Sequence, residues 1–175
     1  MVKGYVITGA PGTGKTALLG GLSGIGAVVP EPALITEHRE ATGEHSLDGR
    51  PDEFVSRLLD RSVESYDRTF AVDLPPYDRG IPDCAAYALG FGLDPGPAME
   101  QSRLRRYADP VFLLTPWEEI YKTDDMRQAT YSMIAGFHDL LVTVYSDLGY
   151  QLVEVPQADI AERAEFVKDL ISGPS

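Results

Sequence analysis

Residues 9–16 read Gly9-Ala10-Pro11-Gly12-Thr13-Gly14-Lys15-Thr16. They match in full the pattern Gly-x-x-x-x-Gly-Lys-(Ser/Thr), in which backbone N–H groups of a glycine-rich turn surround a phosphate group. The pattern requires a strand before it and a helix after it. Both are predicted, because residues 2–8 are rich in β-branched and aromatic side chains and residues 13–22 place leucines on one helical face. We therefore expect all eight residues to bind nucleotide phosphates, with Lys15 reaching the β- and γ-phosphates and the Thr16 hydroxyl binding Mg²⁺.

Short apolar strands alternate with amphipathic helices along the rest of the chain. Further strands are predicted at residues 27–29, 69–74, 111–114 and 152–155. Further helices are predicted from residue 51, over residues 81–89, 97–107 and 129–148, and from residue 160. Strands that are apolar without alternation are typical of a parallel sheet covered on both faces. The sequence therefore predicts an α/β fold with a five-stranded parallel sheet, built as a single domain over residues 1–175 with a small lid at about 117–128.

Composition limits the kinds of partner. The chain carries 15 Lys and Arg against 27 Asp and Glu, a formal net charge of −12, so neither nucleic acid nor a membrane surface is an expected partner. No apolar run approaches the roughly 20 residues of a membrane helix. The single Cys84 excludes an intrachain disulfide, which fits the reducing cytoplasm, and we expect a soluble, cytoplasmic protein. From Met1 to Pro30 there is no Asp or Glu, which favours an anionic ligand there.

Three classes of phosphate-loop protein can be compared with this chain. A switch GTPase normally recognises guanine with an Asn-Lys-x-Asp element, and the sequence contains no asparagine. A ring-forming ATPase usually has an apolar strand that ends in Asp-Glu, whereas here Val72-Asp73 is followed by Leu74. A small kinase fits better, and it needs an acceptor site, an acid or base for the acceptor hydroxyl and cations that cover the phosphates.

Polar residues that follow the strands are the candidates for this chemistry, because ligands of parallel sheets bind at the carboxyl ends of the strands. Glu31 follows the second strand between two prolines and is a candidate general base for an acceptor hydroxyl. After the third strand, Asp78 is a candidate Mg²⁺ ligand and Arg79 a candidate partner of phosphate oxygens. Asp73 is a rival of Asp78 for the metal.

Lid cations are expected after the fourth strand. Lys122 and Arg127 are the candidates there, because a closing cation stabilises the charge that spreads over the transferred phosphoryl group. Other groups favour structural or surface roles. The basic cluster Arg103, Arg105 and Arg106 is typical of a solvated face. The histidines His38, His45 and His138 show no metal-ligand spacing, and Cys84 has no evident activating base.

Five motifs in order carry a resemblance to a known family: the phosphate loop, Val29–Pro32, Tyr77–Asp83, Val111–Trp117 and Gly149–Pro156. Together they resemble a family of small bacterial AAA domain proteins over nearly the whole chain. That family is similar to the ribosylnicotinamide kinase domain and a eukaryotic GTP-binding trafficking protein, and more distantly to nucleoside and thymidylate kinases. The resemblance implies a three-layer P-loop NTPase fold and nucleotide binding. It also implies a catalytic base at Glu31, the acidic-Arg pair at Asp78 and Arg79, and, loosely, a lid arginine at Arg127.

The primary hypothesis is a Mg²⁺-dependent kinase. It would transfer the γ-phosphoryl group of ATP or GTP to a small-molecule acceptor, namely a nucleoside, a nucleotide or a related metabolite. The rival is a nucleotide-dependent binding or switch protein with slow NTPase activity, whose lid and residues 42–50 reorganise on binding. A plain nucleoside triphosphatase is a third option. Acceptor-dependent turnover separates the kinase from both, and the sequence carries no signal for an oligomeric state.

Overall fold

A computed structural model describes residues 2–22, 24–32, 50–70, 74–117 and 125–173, with side chains in the last range described from Ser132 onward. The strands are β1 (Tyr5–Gly9), β2 (Pro76–Asp78), β3 (Ala108–Leu114) and β4 (Leu152–Val155). The helices are α1 (Lys15–Gly21), α2 (Pro51–Arg68), α3 (Ile81–Gly90), α4 (Gly96–Leu104), α5 (Asp125–Asp147) and α6 (Ile160–Ser172).

The strands form one parallel sheet in the order β2-β1-β3-β4. Alternate residues of β3 face opposite layers. Val111 and Leu113 belong to the core that helices α2, α3, α4 and α5 cover, whereas Phe112 and Leu114 pack with α1 and α6. Full burial of such a side chain contributes roughly 1.5–3 kcal/mol. The predicted parallel sheet with helices on both faces is therefore confirmed.

The number of strands differs from the prediction. In the described residues the sheet has four strands, not five, and the segment predicted as a strand at residues 27–29 adds only a bridge between Val29 and Tyr77. The N–H of Val29 donates to the carbonyl of Pro76, and the N–H of Asp78 donates to the carbonyl of Val29. This bridge is enough to place the following residues, including Glu31, at the carboxyl edge of β2.

The prediction of a strand at residues 69–74 was wrong in position. Thr69, Phe70 and Leu74 lie outside any strand, residues 71–73 are outside the described ranges, and the paired strand is Pro76–Asp78. The two prolines do not prevent pairing, because they serve as acceptors: the N–H of Tyr5 donates to the Pro75 carbonyl and Val29 donates to Pro76. Asp78 is therefore the last residue of β2 instead of following the strand.

Two helices also differ from their predicted bounds. Helix α4 ends at Leu104, before the predicted residue 107, and α5 begins at Asp125, before the predicted residue 129. Residues 125–128 of the predicted lid are thus the start of α5. In the described part of the chain, no helix combines the length and the apolar character needed to cross a membrane.

Candidate functional site

The phosphate loop connects β1 to α1. Gly12 and Gly14 have φ of 76° and 83°, the left-handed region that glycine adopts without strain. The Thr13 hydroxyl donates to the carbonyl of Ala10 at 2.8 Å, which closes the turn on itself. A Cβ on Gly9 would lie 2.8 Å from the carbonyl oxygen of Leu114, so only glycine fits where the loop leaves the sheet. The loop thus has the close backbone turn that phosphate binding requires.

Lys15 lies between two carboxylates. Its side chain is buried, with the residue 8% exposed, and its Nζ contacts Oδ1 of Asp78 directly. Oε2 of Glu31 lies 3.6 Å from the same Nζ. Burial raises the pKa of Asp78, and the opposing effect of Lys15 does not cancel the rise. Three of the residues selected from the sequence therefore meet at one edge of the sheet.

Arg79 is a fourth charged residue of this group and forms an ion pair with Glu31. It is 4% exposed and has a left-handed φ of 67°, and its N–H donates to the carbonyl of Ile7 in β1. Its Nε donates to Oε2 of Glu31 and its Nη1 to Oδ1 of Asp83, both at 3.1 Å. Burial acts to lower the pKa of Arg79, but Tyr87 and the two carboxylates outweigh it and raise that pKa. Among the described residues, buried Nη2 has no hydrogen-bond partner.

Asp83 is a residue of this cluster that the sequence analysis did not select. Its Oδ1 accepts from Thr8 Oγ1 at 2.5 Å and from Nη1 of Arg79. Its Oδ2 accepts from the Gly80 N–H at 3.0 Å and from the Tyr145 hydroxyl at 2.6 Å. Arg79 and Asp83 are four residues apart, but Arg79 precedes α3 and has a left-handed φ, so the rule for ion pairs along a helix does not apply to them. The contacts with Thr8 and Tyr145 have no local signal.

Arg163 is a second such residue, and it contacts the phosphate loop from α6. Its Nη2 donates to the carbonyl of Thr13 at 3.1 Å, and its guanidinium lies 5.7 Å from the centre of the Trp117 ring. A Cβ on Gly14 would lie 2.8 Å from its Nη1. Burial lowers the pKa of Arg163, which is 5% exposed. Because the hydrogen bond spans 150 residues of sequence, no local pattern indicates it.

Several predicted site residues are not placed. Lys122, Asp73, residues 42–49 and residues 118–124 lie outside the described residues. Arg127 belongs to the start of α5, and its side chain is outside the description as well. The roles predicted for these residues stay predictions.

The donor set fits a magnesium ion. Thr16, in the first turn of α1, and Asp78 supply a hydroxyl and a carboxylate oxygen, the ligand type that Mg²⁺ prefers. Within the described ranges, no group of three His, Cys, Asp or Glu residues forms a metal centre. Thr16 and Asp78 are the residues proposed to hold Mg²⁺, with nucleotide phosphate oxygens and water as its other ligands.

The remaining candidates make contacts within the fold. Arg105 donates two hydrogen bonds of 2.9 Å to Asp67, and Arg106 donates to the carbonyl of Leu148 at 2.8 Å. Burial raises the pKa of the Cys84 thiol to about 12, so it stays protonated at neutral pH. His138 is half-buried on α5, whereas His38 and His45 are outside the described ranges.

Comparison with known proteins identifies the family of this chain. The model of a family described as AAA domain matches residues 4–163. No curated protein matches the sequence.

Solved structures resemble the fold closely at low sequence identity. NadR protein in complex with NR has a TM-score of 0.67 and 15% identity, over 95% of this chain and 49% of that chain. NadR in complex with NAD and AMP-PNP has a TM-score of 0.67 and 16% identity, over 95% and 48%. Thymidylate kinase from Ehrlichia chaffeensis has a TM-score of 0.64 and 14% identity, over 96% and 98%. This chain spans about half the length of NadR, and the likeness establishes a P-loop fold similar to that of nucleotide kinases.

Proposed function

This chain belongs to the AAA domain family, and we propose that it is a Mg²⁺-dependent kinase that transfers the γ-phosphoryl group of ATP or GTP to a small-molecule acceptor. The acceptor class is a nucleoside, a nucleotide or a related metabolite. The proposal treats the chain as a single catalytic domain with a lid at about 117–128.

One observation carries the proposal. The phosphate-loop Lys15 and the candidate base Glu31 lie together, with Nζ and Oε2 3.6 Å apart, and Arg79 holds the same Oε2 at 3.1 Å. A γ-phosphate bound at Lys15 would therefore lie beside a carboxylate and a guanidinium. A kinase needs this combination, because the acceptor hydroxyl must be oriented next to the phosphate that it attacks. Phosphate binding alone requires neither group.

The residues have separate roles in the proposed reaction. The loop N–H groups and Lys15 bind the β- and γ-phosphates, while Thr16 and Asp78 would hold Mg²⁺, which would neutralise developing charge when bound. The acceptor oxygen forms a bond to the γ-phosphorus as the bond from that phosphorus to the β–γ bridging oxygen breaks. The hydroxyl proton passes to Glu31. Arg79, together with the lid residue Arg127, compensates the negative charge of the transferred group.

The experiment compares wild type with Glu31→Gln. ADP or GDP formation is measured with MgATP or MgGTP and a panel of nucleosides and nucleotides. We expect acceptor-dependent turnover in wild type and a loss of roughly 10²-fold or more in E31Q, with nucleotide affinity nearly intact. Glu154→Gln, which changes an exposed carboxylate of β4, is the matched control. Unchanged transfer in E31Q would remove Glu31 from the mechanism, and turnover that no acceptor accelerates would favour a switch protein or a plain triphosphatase.

A further inference from the structure

The Asp83 carboxylate joins three parts of the fold. It accepts from Thr8 at the end of β1, from Arg79 and Gly80 between β2 and α3, and from Tyr145 on α5. Each carboxylate oxygen accepts two hydrogen bonds, which fills the acceptor sites of the group. Asp83 is 2% exposed, so water does not compete for these bonds.

These hydrogen bonds of Asp83 restrict the side chain of Arg79. An arginine side chain has several rotatable bonds, yet here the guanidinium is fixed on two sides, by Glu31 at Nε and by Asp83 at Nη1. The third side, Nη2, is buried and finds no hydrogen-bond partner in the described part of the chain. A buried donor of this kind is costly to leave unpaired, which is typical of a group kept for a ligand.

The hydrogen bond from Thr8 connects the Asp83–Arg79 pair to the phosphate loop. Thr8 immediately precedes Gly9, and it is fully buried in the sheet. Because Oδ1 of Asp83 accepts from both Thr8 and Arg79, the carboxylate sets the distance between the end of β1 and the guanidinium. A carboxylate that served only to cap α3 would need no more than its bond to the Gly80 N–H at 3.0 Å.

We propose that Asp83 is a positioning residue that aims the Arg79 guanidinium, holding Nη2 toward the phosphate groups bound at the neighbouring loop. The identity of the oxygens that Nη2 meets rests on the proposed function. The positioning of the guanidinium by Asp83 does not depend on the proposed function, so either proposal can fail while the other holds.

The test is the side-chain ¹⁵N–¹H spectrum of Arg79, assigned with Arg79→Lys. In wild type the Nη1–H signals should be resolved, because the hydrogen bonds from Nε to Glu31 and from Nη1 to Asp83 block rotation of the guanidinium. Asp83→Asn should broaden or merge them, since the amide accepts at only one of its two terminal atoms. Thr8→Val and Tyr145→Phe each remove one donor to Asp83 without mutating Arg79 itself. Each should also broaden or merge the Arg79 signals, so these variants decide the question if D83N does not fold.

Tyr107→Phe is the matched control. Tyr107 is a buried tyrosine whose hydroxyl accepts from the Ile81 N–H at 3.1 Å, and its loss should lower the melting temperature while the Arg79 signals stay resolved. Wild-type-like Arg79 signals in all folded Asp83, Thr8 and Tyr145 variants would overturn the proposal. Equal loss of the signals in Y107F would also overturn it, because the effect would then reflect general loosening.

A double-mutant cycle links the positioning to turnover. D83N should lower transfer roughly ten- to hundredfold, the usual cost of losing a group that orients a functional side chain. In an Arg79→Met background, D83N should cause no further loss, because its effect passes through Arg79. Additive losses would contradict the proposal. If wild type shows no turnover with any acceptor, the proposed function fails while the Arg79 spectrum still decides the role of Asp83.

Discussion

The ammonium group of Lys15, in the phosphate loop, forms an ion pair with the carboxylate of Asp78, the last residue of β2. Nucleotide phosphates bind to the same ammonium group in proteins with this loop. Asp78 and a bound phosphate would therefore compete for Lys15, and in the proposed function Mg²⁺ would relieve this competition by giving the carboxylate another cation to bind. If Asp78 holds the metal as proposed, binding of the metal and binding of the nucleotide favour each other.

Replacing Asp78 by Asn should therefore change the metal dependence of nucleotide binding. Without Mg²⁺, D78N should bind ATP about tenfold more tightly than wild type, about 1.4 kcal/mol, because the competing charge is gone. With Mg²⁺ the advantage should disappear or reverse, since a metal ligand is lost. Titration calorimetry with and without a chelator measures both. Asp67→Asn, at an exposed residue paired with Arg105, is the control, and an equal change of affinity under both conditions would contradict the assignment.

The same carboxylate should also affect the pH dependence of stability. Burial raises the pKa of Asp78 above its ordinary value of 3.8, so the folded protein binds this proton more readily than the unfolded chain. Wild type should therefore lose free energy of unfolding relative to D78N as the pH rises from below 3.8 through the raised pKa.

Asp67 provides a comparison of opposite sign. A hydrogen bond from Arg105 lowers the pKa of Asp67, so its contribution is present above 3.8 and is lost as the pH falls through the lowered pKa. Because Asp67 is exposed, this contribution is small. Urea unfolding of wild type, D78N and D67N across the acid range measures both slopes. A difference between wild type and D78N that does not vary with pH would contradict the buried environment of Asp78.

Loss of Arg163 should weaken nucleotide binding indirectly, through the backbone of the phosphate loop. The Thr13 carbonyl and the Gly14 N–H belong to one planar trans peptide and point in opposite directions, so a donor on the carbonyl fixes the direction of the N–H. Arg163→Met should lower ATP affinity about tenfold, about 1.4 kcal/mol, and Arg163→Lys by less. Emission of Trp117, the only tryptophan of the chain, can follow the titration. An affinity of R163M equal to that of the exposed-site control Arg57→Met would rule this role out.

The sequence predicts those parts of the molecule that local patterns encode. The phosphate loop requires glycines at positions with positive φ, and they occupy Gly12 and Gly14. The pairing of apolar strands follows from their burial on both faces, and it brings Glu31 and Asp78 to the same edge of the sheet as Lys15. Selecting polar residues near the strand ends was sufficient to find these carboxylates.

Other features depend on contacts that no local pattern records. The strand position at Pro76–Asp78 is set by proline carbonyls that accept from Tyr5 and Val29, whereas proline in a sequence usually argues against a strand. Asp83 accepts from Thr8 across 75 residues and from Tyr145 across 62 residues. Such residues become visible only when the fold brings their partners together.

Thermal unfolding in the presence of nucleotide tests directly whether the phosphate loop binds ATP or GTP. The melting temperature of wild type is measured with MgATP and with MgGTP, then with nucleosides and nucleotides added as second ligands, beside Lys15→Ala and the control Lys168→Ala on α6. A ligand at a hundred times its Kd stabilises by about 2.7 kcal/mol, so a bound nucleotide gives a clear shift. We expect a shift in wild type and K168A that K15A loses, and a further shift with one acceptor. No shift of wild type with either nucleotide at millimolar concentration would contradict the phosphate-loop assignment and, with it, the proposed kinase.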